Sequence, residues 1–274
     1  MPTIAYLGPE NTNTHLAARK RFGARCRYVH APTVDEVFHL VERCRADYGV
    51  VPIENSLEGA VTHTLDRFID FQDTPVAIHG ELEEPIKHYL ILARGVQWSD
   101  LELVFSHPQA LAQCHRWLST HLGHVSLRET NSTADAVLHV LQNRSVRAAI
   151  GRRELARQHR LRAVPVPEER ENKTRFLILG LGEPKRGKRN KTSILFALKD
   201  KSGALHDALV PFKNNRINLT KIESRPSKRK AWEYLFFIDL EGHETEPRVT
   251  RALRVLQRHT TLLRVLGSYP MSTR

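Results

Sequence analysis

The sequence predicts an α/β protein that carries a second, smaller domain of ferredoxin-like βαββαβ order. Short apolar segments alternate with amphipathic helical segments as far as about residue 180, which is typical of α/β architecture. The stretch 181–191 then combines glycine, proline and basic residues, as linkers do. Beyond it, six elements follow one another in the ferredoxin-like order.

In the first part, the apolar runs predict nine strands, at 3–7, 27–30, 48–52, 75–79, 86–93, 102–105, 125–129, 147–150 and 175–180. Helices are expected between them. Helical spacing is seen in the apolar residues Val61, Leu65, Phe68 and Ile69, and again in Ala110, Leu111, Cys114, Trp117, Leu118 and Leu122.

The second part predicts strands at 192–198, 217–223, 232–240 and 262–268, with helices at 203–213 and 246–258. We therefore expect one domain at 1–181 and another at 192–269. No internal repeat is present.

The net charge of +12 and the pI near 9.9 raise three classes of partner: nucleic acid, an acidic membrane or an anionic substrate. The basic clusters 185–191 and 227–230 lie in turn-like stretches, which favours solvated loops. No nucleic-acid-binding motif accompanies them, so we expect no nucleic-acid partner.

Cys26, Cys44 and Cys114 show neither disulfide-framework nor zinc-site spacing, which favours a reducing compartment. The first residues lack the pattern of a signal peptide, and no apolar run reaches membrane-spanning length. We expect a soluble, cytoplasmic protein with no membrane partner.

Polar residues occupy four points where a predicted strand gives way to a helix: 8–15, 52–60, 106–109 and 130–135. Unpaired N–H groups and partial positive charge make helix N-termini suitable for carboxylates or phosphates. Each turn is also explained as a helix cap, and Ser132 with Asp135 forms an acidic variant of the capping box. Because ligands bind outside the carboxyl ends of strands in open α/β sheets, we expect these turns to converge. No glycine-rich phosphate loop and no metal-ligand spacing are present.

The segment 172–176, Asn-Lys-Thr-Arg-Phe, places a hydroxyl, a cation and an aromatic ring side by side at a strand entry. Alternation directs Thr174 and Phe176 to one face and Arg175 to the other. Such a cluster suits the protonation and enclosure of a small anion. The alternative is an ordinary edge strand with a surface arginine.

Four motifs in this order resemble the prephenate dehydratase family with its C-terminal ACT regulatory domain, over nearly the whole chain. They are Tyr48 to Ser56 (YGVVPIENS), Ser106 to Leu111 (SHPQAL), Asn172 to Phe176 (NKTRF) and Ile222 to Pro226 (IESRP). The resemblance implies conversion of prephenate to phenylpyruvate, with loss of carbon dioxide and water, in phenylalanine biosynthesis. It implies no cofactor.

The resemblance also implies two lobes like those of type II periplasmic binding proteins, with the active site in the cleft. Lobe 1 is expected at about 1–78 and 172–181, and lobe 2 at about 79–171. Thr174 corresponds to the family's essential threonine, with Glu54 and Asn55 as further catalytic residues. The expected substrate-binding residues are Thr12, Ser56, Ser106, Gln109, Ser132, Thr133, Arg175 and Phe176.

Two groups compete as the proton donor. A neutral hydroxyl such as that of Thr174 serves if its neighbours stabilise the alkoxide or relay another proton. Glu54 serves if its carboxyl is buried and its pKa is raised. Arg175 adds charge to the site if its side chain turns inward.

Phenylalanine is the implied effector, bound between ACT domains, so we expect a homodimer or homotetramer. The effector residues expected from the resemblance are Gly203, Ala204, Leu205, Asn218, Leu219, Glu223, Ser224, Arg225 and Pro226. A turn glycine and a strand-ending proline explain the same segments without a ligand.

Several residues depart from the family pattern. Asn11 stands where a glycine is usual, and an asparagine can adopt the left-handed geometry of that glycine at modest cost. Asn13 stands where an aromatic ring is usual, which alters the first turn. His206 and Arg216 replace an apolar residue and a glycine in the ACT segment, which affects the strength of phenylalanine control. Three alternatives stay open: arogenate dehydratase, a non-catalytic small-molecule sensor on the same fold, and a nucleic-acid-binding regulator.

Overall fold

The computed structural model describes residues 1–70, 74–142, 147–167, 171–227 and 233–272. The chain divides into two compact units. Unit 1 comprises Met1–Leu7, Ala18–Glu83 and Arg175–Arg274, and unit 2 comprises Gly8–Ala17 and Glu84–Thr174. Most of the predicted basic cluster 227–230, and the start of the predicted strand 232–240, lie outside the described residues.

The elements of the first 181 residues follow one another as β1 (Thr3–Leu7), α1 (Asn13–Phe22), β2 (Arg27–Ala31), α2 (Val34–Glu42), β3 (Tyr48–Asn55), β4 (Gly59–Ala60), α3 (Thr62–Asp70), β5 (Val76–Pro85), β6 (Tyr89–Leu92), β7 (Leu103–Ser106), α4 (Pro108–Gln113), α5 (His115–Leu122), β8 (Ser126–Glu129), α6 (Thr133–Gln142), β9 (Arg147–Gly151), α7 (Arg153–Gln158), β10 (Arg162–Pro165) and β11 (Lys173–Leu181). A short 3₁₀ turn spans Trp98–Asp100.

Six of these strands form the first sheet, in the order β2-β1-β3-β11-β5, with the short β4 beside β3. Strands β1, β2 and β3 are parallel, as expected of strands joined by helices. Thr33 caps α2, since its side chain accepts a hydrogen bond from the backbone N–H of Glu36. The apolar face of α2 packs in the core beneath this sheet.

Unit 2 contains a five-stranded sheet in the order β10-β6-β9-β7-β8. Strands β7, β8 and β9 are parallel, so their carboxyl ends lie at one edge. Strand β6 runs antiparallel to β9 with Tyr89 opposite Gly151, which brings the start of β6 to that same edge. Strand β10 pairs antiparallel with β6 and places Pro165 opposite Tyr89, so one edge of the sheet holds four strand ends and one strand start.

The C-terminal part consists of β12 (Asn190–Leu198), α8 (Ala204–Asn214), β13 (Leu219–Pro226), β14 (Tyr234–Glu241), α9 (Pro247–His259) and β15 (Thr260–Pro270). The strands form an antiparallel sheet in the order β13-β14-β12-β15. This is the predicted βαββαβ order. The predicted α/β fold with a ferredoxin-like second domain is confirmed.

The C-terminal sheet is buried on both faces. Ile194 and Phe196 pack with α8 and α9 on one side. Leu195, Phe237 and Leu266 on the other side share a single core with residues of the first sheet and α3, namely Ile53, Leu65, Phe68, Ile78, Leu177 and Leu179. The C-terminal sheet and the first sheet are thus two layers around one core, which makes unit 1 a single packed body.

Three sequence-based assignments are corrected. The strand predicted at 86–93 is shorter, at Tyr89–Leu92, because β5 continues to Pro85. The helix predicted through 110–122 is broken at Cys114, whose backbone leaves helical geometry (ψ 1°) and whose N–H bonds both Ala110 and Ala112 carbonyls. Strand β10 was not predicted, since its four residues show too little apolar periodicity.

Gly267 is a position where only glycine fits. Its φ is +155°, and a Cβ there would overlap the carbonyl oxygen of Ile78 on β5. The same Cβ would lie 3.0 Å from both the backbone C and N of Ile78. The β15 bulge at Gly267 therefore lets the C-terminal sheet approach the first sheet at backbone distance.

We predict that Gly267→Ala lowers the free energy of unfolding by about 2–4 kcal/mol, from overlap and positive φ together. Gly182→Ala is the matched control, because Gly182 has a φ of +75° and open space at its Cβ position. It should cost only about 1–2 kcal/mol. Urea unfolding of both variants measures the difference, and equal losses would contradict the close approach.

Candidate active site

The carboxyl edge of the unit 2 sheet gathers the predicted turns. Residues 106–109 follow β7, residues 130–133 follow β8, and Arg152 follows β9. The first turn, 8–15, joins them, since Arg152 Nη1 donates a 2.6 Å hydrogen bond to Asn13 Oδ1. Three of the four predicted turns therefore belong to unit 2, and the fourth, 52–60, belongs to unit 1.

Each turn in unit 2 caps a helix. Thr12 Oγ1 accepts from His15 N at 3.4 Å, and Ser132 Oγ accepts from Asp135 N at 3.0 Å. His107 Nδ1 accepts from Gln109 N at 3.3 Å. The capping role predicted for Ser132 is confirmed, and Gln109 leaves its own side chain exposed in the first turn of α4.

Asn11, which departs from the family pattern in the first turn, adopts the expected left-handed backbone conformation. Asn11 has a φ of +65°, the left-handed conformation that a glycine would otherwise provide. Its N–H donates to His15 Nδ1 at 2.9 Å. Asn13, in place of an aromatic ring, holds the guanidinium of Arg152.

A buried amide network fixes the chain just before Thr174. Gln113 Oε1 accepts from His88 Nε2 at 2.7 Å and from Asn172 Nδ2 at 2.9 Å. The carbonyl of Asn172 accepts from Ile86 N at 2.8 Å. Burial lowers the pKa of His88, so the ring is neutral with its proton on Nε2. Half-buried Thr174 follows two residues later.

Sequence reasoning missed His88 and Gln113. The signal for Gln113 was its position four residues after Gln109, one helical turn along the SHPQ segment. His88 carried no motif at all and is identified only because the antiparallel β6 begins at the carboxyl edge of β9.

The structure does not support the prediction that Ser106 binds substrate. Its side chain is 0% exposed, and its hydroxyl donates to the carbonyl of Ile150 at 2.8 Å. A buried hydroxyl with its proton committed to a neighbouring strand presents nothing to a ligand. Ser106 instead joins β7 to β9 beneath the turn.

In unit 1, Glu54 and Asn55 end strand β3 in a tight hairpin. They pair with Ala60 and Gly59 of β4. Asn55 Oδ1 accepts from Leu57 N at 3.0 Å and closes the turn, while Ser56 is exposed at its tip. The predicted strand-to-helix turn is therefore a hairpin that leads into α3.

The structure does not support the prediction that Arg175 binds substrate, because three carboxylates already hold its guanidinium. Its Nη1 donates to Glu81 Oε2 at 3.0 Å and to Asp239 Oδ2 at 2.6 Å, and its Nη2 donates to Glu54 Oε2 at 3.1 Å. The side chain is 8% exposed. Strand alternation places it on the face of Leu177, toward the ACT sheet, and away from Thr174.

The charges around Arg175 form a closed cluster, which we call the Arg175 cluster: Arg175, Lys191, Lys221, Glu54, Glu81 and Asp239. Lys191 Nζ donates to both oxygens of Glu81, at 2.9 and 2.7 Å, and Lys221 Nζ donates to Glu54 Oε2 at 2.5 Å. The six residues balance three positive charges against three negative ones. Lys191, predicted in a solvated basic loop, is therefore buried and ion-paired.

Neutral groups complete the cluster on the ACT side. Ser193 Oγ donates to Asp239 Oδ1 at 2.6 Å and therefore accepts from the hydroxyl of Tyr269 at 2.7 Å. Burial raises the pKa of Tyr269 well above its usual value, so its hydroxyl stays protonated. Both oxygens of Asp239 are thus hydrogen-bonded, as a buried carboxylate requires.

Glu54 does not meet the condition set for a proton donor. Burial alone would raise the pKa of its carboxyl, but Arg175 and Lys221 outweigh burial and lower the pKa below its ordinary value. The side chain is also 33% exposed. Glu54 is therefore ionised at neutral pH, which favours Thr174 over Glu54 as the proton donor.

The structure likewise does not support the prediction that Phe176 binds substrate. Its side chain is 1% exposed, so its ring belongs to the interior and offers almost no surface to a ligand. Of the three side chains in the central Thr-Arg-Phe motif, Thr174 alone keeps an accessible face.

The predicted effector residues fall into two places within the ACT domain. Gly203, with a φ of +78°, begins α8 beside a cavity of about 600 Å³. The cavity is lined by Leu198, Lys199, Asp200, Lys201, Ala204, Leu205, Glu233, Tyr234, Phe236 and Thr261. Asn218, Leu219 and Glu223 to Pro226 are not among its lining residues, although Ser224 and Pro226 pair with the lining residues Phe236 and Tyr234.

Arg225 is engaged elsewhere. Its Nε and Nη2 donate to Asp66 Oδ1 on α3 at 3.0 and 2.9 Å. The predicted role of its side chain as an effector ligand is corrected accordingly, since this fork-like pair ties β13 to α3.

Within the described residues, no helix combines the length and apolar character that a membrane crossing requires.

Comparisons with known proteins place the chain in a family. The family model for prephenate dehydratase matches residues 4–184, and that for the ACT domain matches residues 192–258. The chain is 46% identical to a bifunctional chorismate mutase/prephenate dehydratase of Aquifex aeolicus, over 97% of this chain and 73% of the relative. It is 37% identical to the prephenate dehydratase of Methanocaldococcus jannaschii, over 98% of both chains.

Among solved structures, the prephenate dehydratase of Arthrobacter aurescens in complex with L-Phe superimposes with a TM-score of 0.89 at 33% identity. The match covers 97% of this chain and 89% of that one. The chain belongs to the prephenate dehydratase family, a family of lyases, and carries an ACT domain. The predictions of family and of dehydratase activity are confirmed.

The Arg175 cluster makes the free energy of unfolding depend on pH, and stability is lost as the pH falls. Burial would raise the pKa of Asp239, but Arg175 and Lys191 outweigh burial and lower the pKa below its ordinary value. A lowered pKa in the folded state means that stability is present at higher pH and is lost as pH falls through the folded pKa.

We predict that Asp239→Asn lowers the free energy of unfolding at pH 7 by about 3 kcal/mol, because it removes one partner of a buried ion pair. The loss stays at this level because Arg175 keeps its other two carboxylates, Glu54 and Glu81. The variant should also lose less stability than the native chain between about pH 5 and pH 2. Asp200→Asn, at an exposed position, is the control. Urea unfolding across that pH range measures both effects, and parallel curves for native chain and D239N would exclude this role of Asp239.

Proposed function

We propose that the chain converts prephenate to phenylpyruvate and that Thr174 supplies the proton to the departing hydroxyl. The observation that carries the proposal is the network Asn172–Gln113–His88, which fixes the strand entry immediately before Thr174. In the reaction, the bond between the ring and its carboxylate breaks to release carbon dioxide. Its electrons enter the ring, and the ring hydroxyl leaves with one proton as water.

Thr174 suits this role better than Glu54 does. Its half-buried neutral hydroxyl adds no negative charge beside the dianionic substrate before the reaction. After the hydroxyl gives its proton to the leaving oxygen, the alkoxide regains a proton from solvent. Glu54 is held ionised by Arg175 and Lys221, so it cannot deliver a proton near neutral pH. We assign Glu54 to holding Arg175 in place.

Substrate binding is proposed for the polar groups that the turns leave accessible. In unit 2 these are Thr12, Gln109, Ser132 and Thr133, together with the N–H groups of the helices they begin. In unit 1 the proposed substrate-binding residue is exposed Ser56 at the tip of the hairpin. Asn55, which is 8% exposed and accepts from Leu57 N, is proposed to hold that tip in place. All of these side chains are neutral.

Feedback by phenylalanine is proposed through the ACT domain. The cavity beside Gly203 combines apolar Leu205, Tyr234 and Phe236 with charged Lys201 and Glu233, which suits a zwitterion with an aromatic side chain. Because the lining residues of this cavity include none from β13, we propose that β13 of a second copy completes the site. The protein would then be a homodimer or homotetramer.

The path from effector to catalytic domain is proposed to run through Lys221. Its Nζ lies 2.5 Å from Glu54 and 3.8 Å from Glu223, within the predicted effector strand. A ligand that engages Glu223 changes the charge facing Lys221 and hence the Arg175 cluster. A cytoplasmic location completes the proposal and rests on the cysteine pattern.

Arogenate dehydratase remains the second candidate, because the same chemistry acts on a substrate whose arm carries an amino group. A non-catalytic sensor is the alternative from another class. It would bind its ligand equally well without the hydroxyl of Thr174.

We predict that Thr174→Val, which keeps shape and removes the hydroxyl, lowers kcat for phenylpyruvate formation about 10²–10⁴-fold. Thr174→Ser, which keeps the hydroxyl, should retain most of the activity. Purified proteins are incubated with prephenate and with arogenate, and phenylpyruvate and phenylalanine are followed separately. Full activity of T174V would exclude Thr174 as the donor, and a native chain that turns over neither substrate would favour the sensor.

A further inference from the structure

Arg152 is a cation at the carboxyl edge of the unit 2 sheet whose hydrogen bonds go to neutral groups. Its Nη1 donates to Asn13 Oδ1 at 2.6 Å and its Nη2 to the carbonyl of Pro85 at 3.2 Å. Its ion pair within the described residues is with Glu154, 3.6 Å from Nε and 52% exposed. Such an exposed pair compensates little of the positive charge, so Arg152 is a fixed cation that can bind an anion.

The surroundings of Arg152 are the proposed substrate-binding turns. Asn13, which holds it, is next to Thr12 in the chain. Gly151, the residue before it, lies against the Thr133 carbonyl, 3.5 Å from the ideal Cβ position. His88 is also near, because the positive charge of Arg152 helps to lower the pKa of the His88 ring.

The charge of the substrate requires such a group. Prephenate carries two carboxylates, whereas the proposed ligands Thr12, Gln109, Ser132 and Thr133 are neutral. Arg175, the cation expected from the sequence, is saturated by Glu54, Glu81 and Asp239. By contrast, Arg152 is 12% exposed and its strong partners carry no charge.

We propose that Arg152, held by Asn13, binds a carboxylate of the dianionic substrate and favours prephenate over arogenate. The inference rests on the proposed function. Arogenate has the same two carboxylates and an added ammonium, so its net charge is one unit less negative. A cation near the bound substrate therefore stabilises prephenate more strongly than arogenate.

Three variants separate this role from a structural one. Arg152→Met removes the charge, and Arg152→Lys keeps it. Asn13→Asp leaves Arg152 in place but gives it a carboxylate partner, which neutralises the site. Arg153→Met is the matched control, because Arg153 is the adjacent arginine and is exposed.

We expect R152M and N13D to lower kcat/KM for prephenate about 10- to 100-fold, mainly through KM, as the loss of one charge-assisted contact does. The loss for arogenate should be several-fold smaller. R152K should recover part of the prephenate activity, and R153M should behave as the native chain does. Unchanged KM in R152M and N13D, or equal losses on both substrates with a lowered Tm, would overturn the proposal.

A binding measurement keeps the two proposals distinguishable. Calorimetric titration of prephenate into T174V, with and without R152M, gives Kd without turnover. A weaker Kd in the double variant supports Arg152 as a ligand, and an unchanged Kd overturns it. Failure of the native chain to form phenylpyruvate would refute the proposed function alone.

Discussion

The sharing of one buried guanidinium among three carboxylates is the interaction on which the rest of unit 1 depends. Arg175 bonds Glu81 and Glu54 of the first sheet and Asp239 of the ACT sheet. Burial alone would lower the pKa of Arg175, but Asp239 and Glu54 outweigh it and raise the pKa above its ordinary value. Since a buried charge without a partner is costly, none of the four groups is free to move independently.

This constraint connects the proposed effector strand with the proposed catalytic residues along the covalent chain. Thr174 is bonded directly to Arg175, and Glu54 adjoins Asn55 in the hairpin. On the ACT side, Lys221 reaches Glu54 and Arg225 reaches Asp66. The ACT sheet also closes the apolar core beneath the first sheet. Lys221 and Arg225 are therefore the groups of β13 through which the proposed effector acts on Glu54 and Asp66.

The sequence predicted the elements with strong periodicity and the residues within local motifs. The βαββαβ order, the cap at Ser132 and the left-handed Asn11 all depend on near neighbours in the chain. The roles of Arg175 and Lys191 do not, because their partners lie 64 to 121 residues away for Arg175 and 110 for Lys191. Motif logic assigned Arg175 to substrate, whereas tertiary charge pairing decides its orientation. His88 and Arg152 were missed for the same reason.

Hydrogen exchange with and without L-phenylalanine tests most directly whether the Arg175 cluster couples the two sheets. We predict that the ligand changes amide protection in β13 and also in β3 and β11, which carry Glu54 and Arg175. A change confined to residues 190–270, with β3 and β11 exchanging as in the free protein, would contradict this coupling.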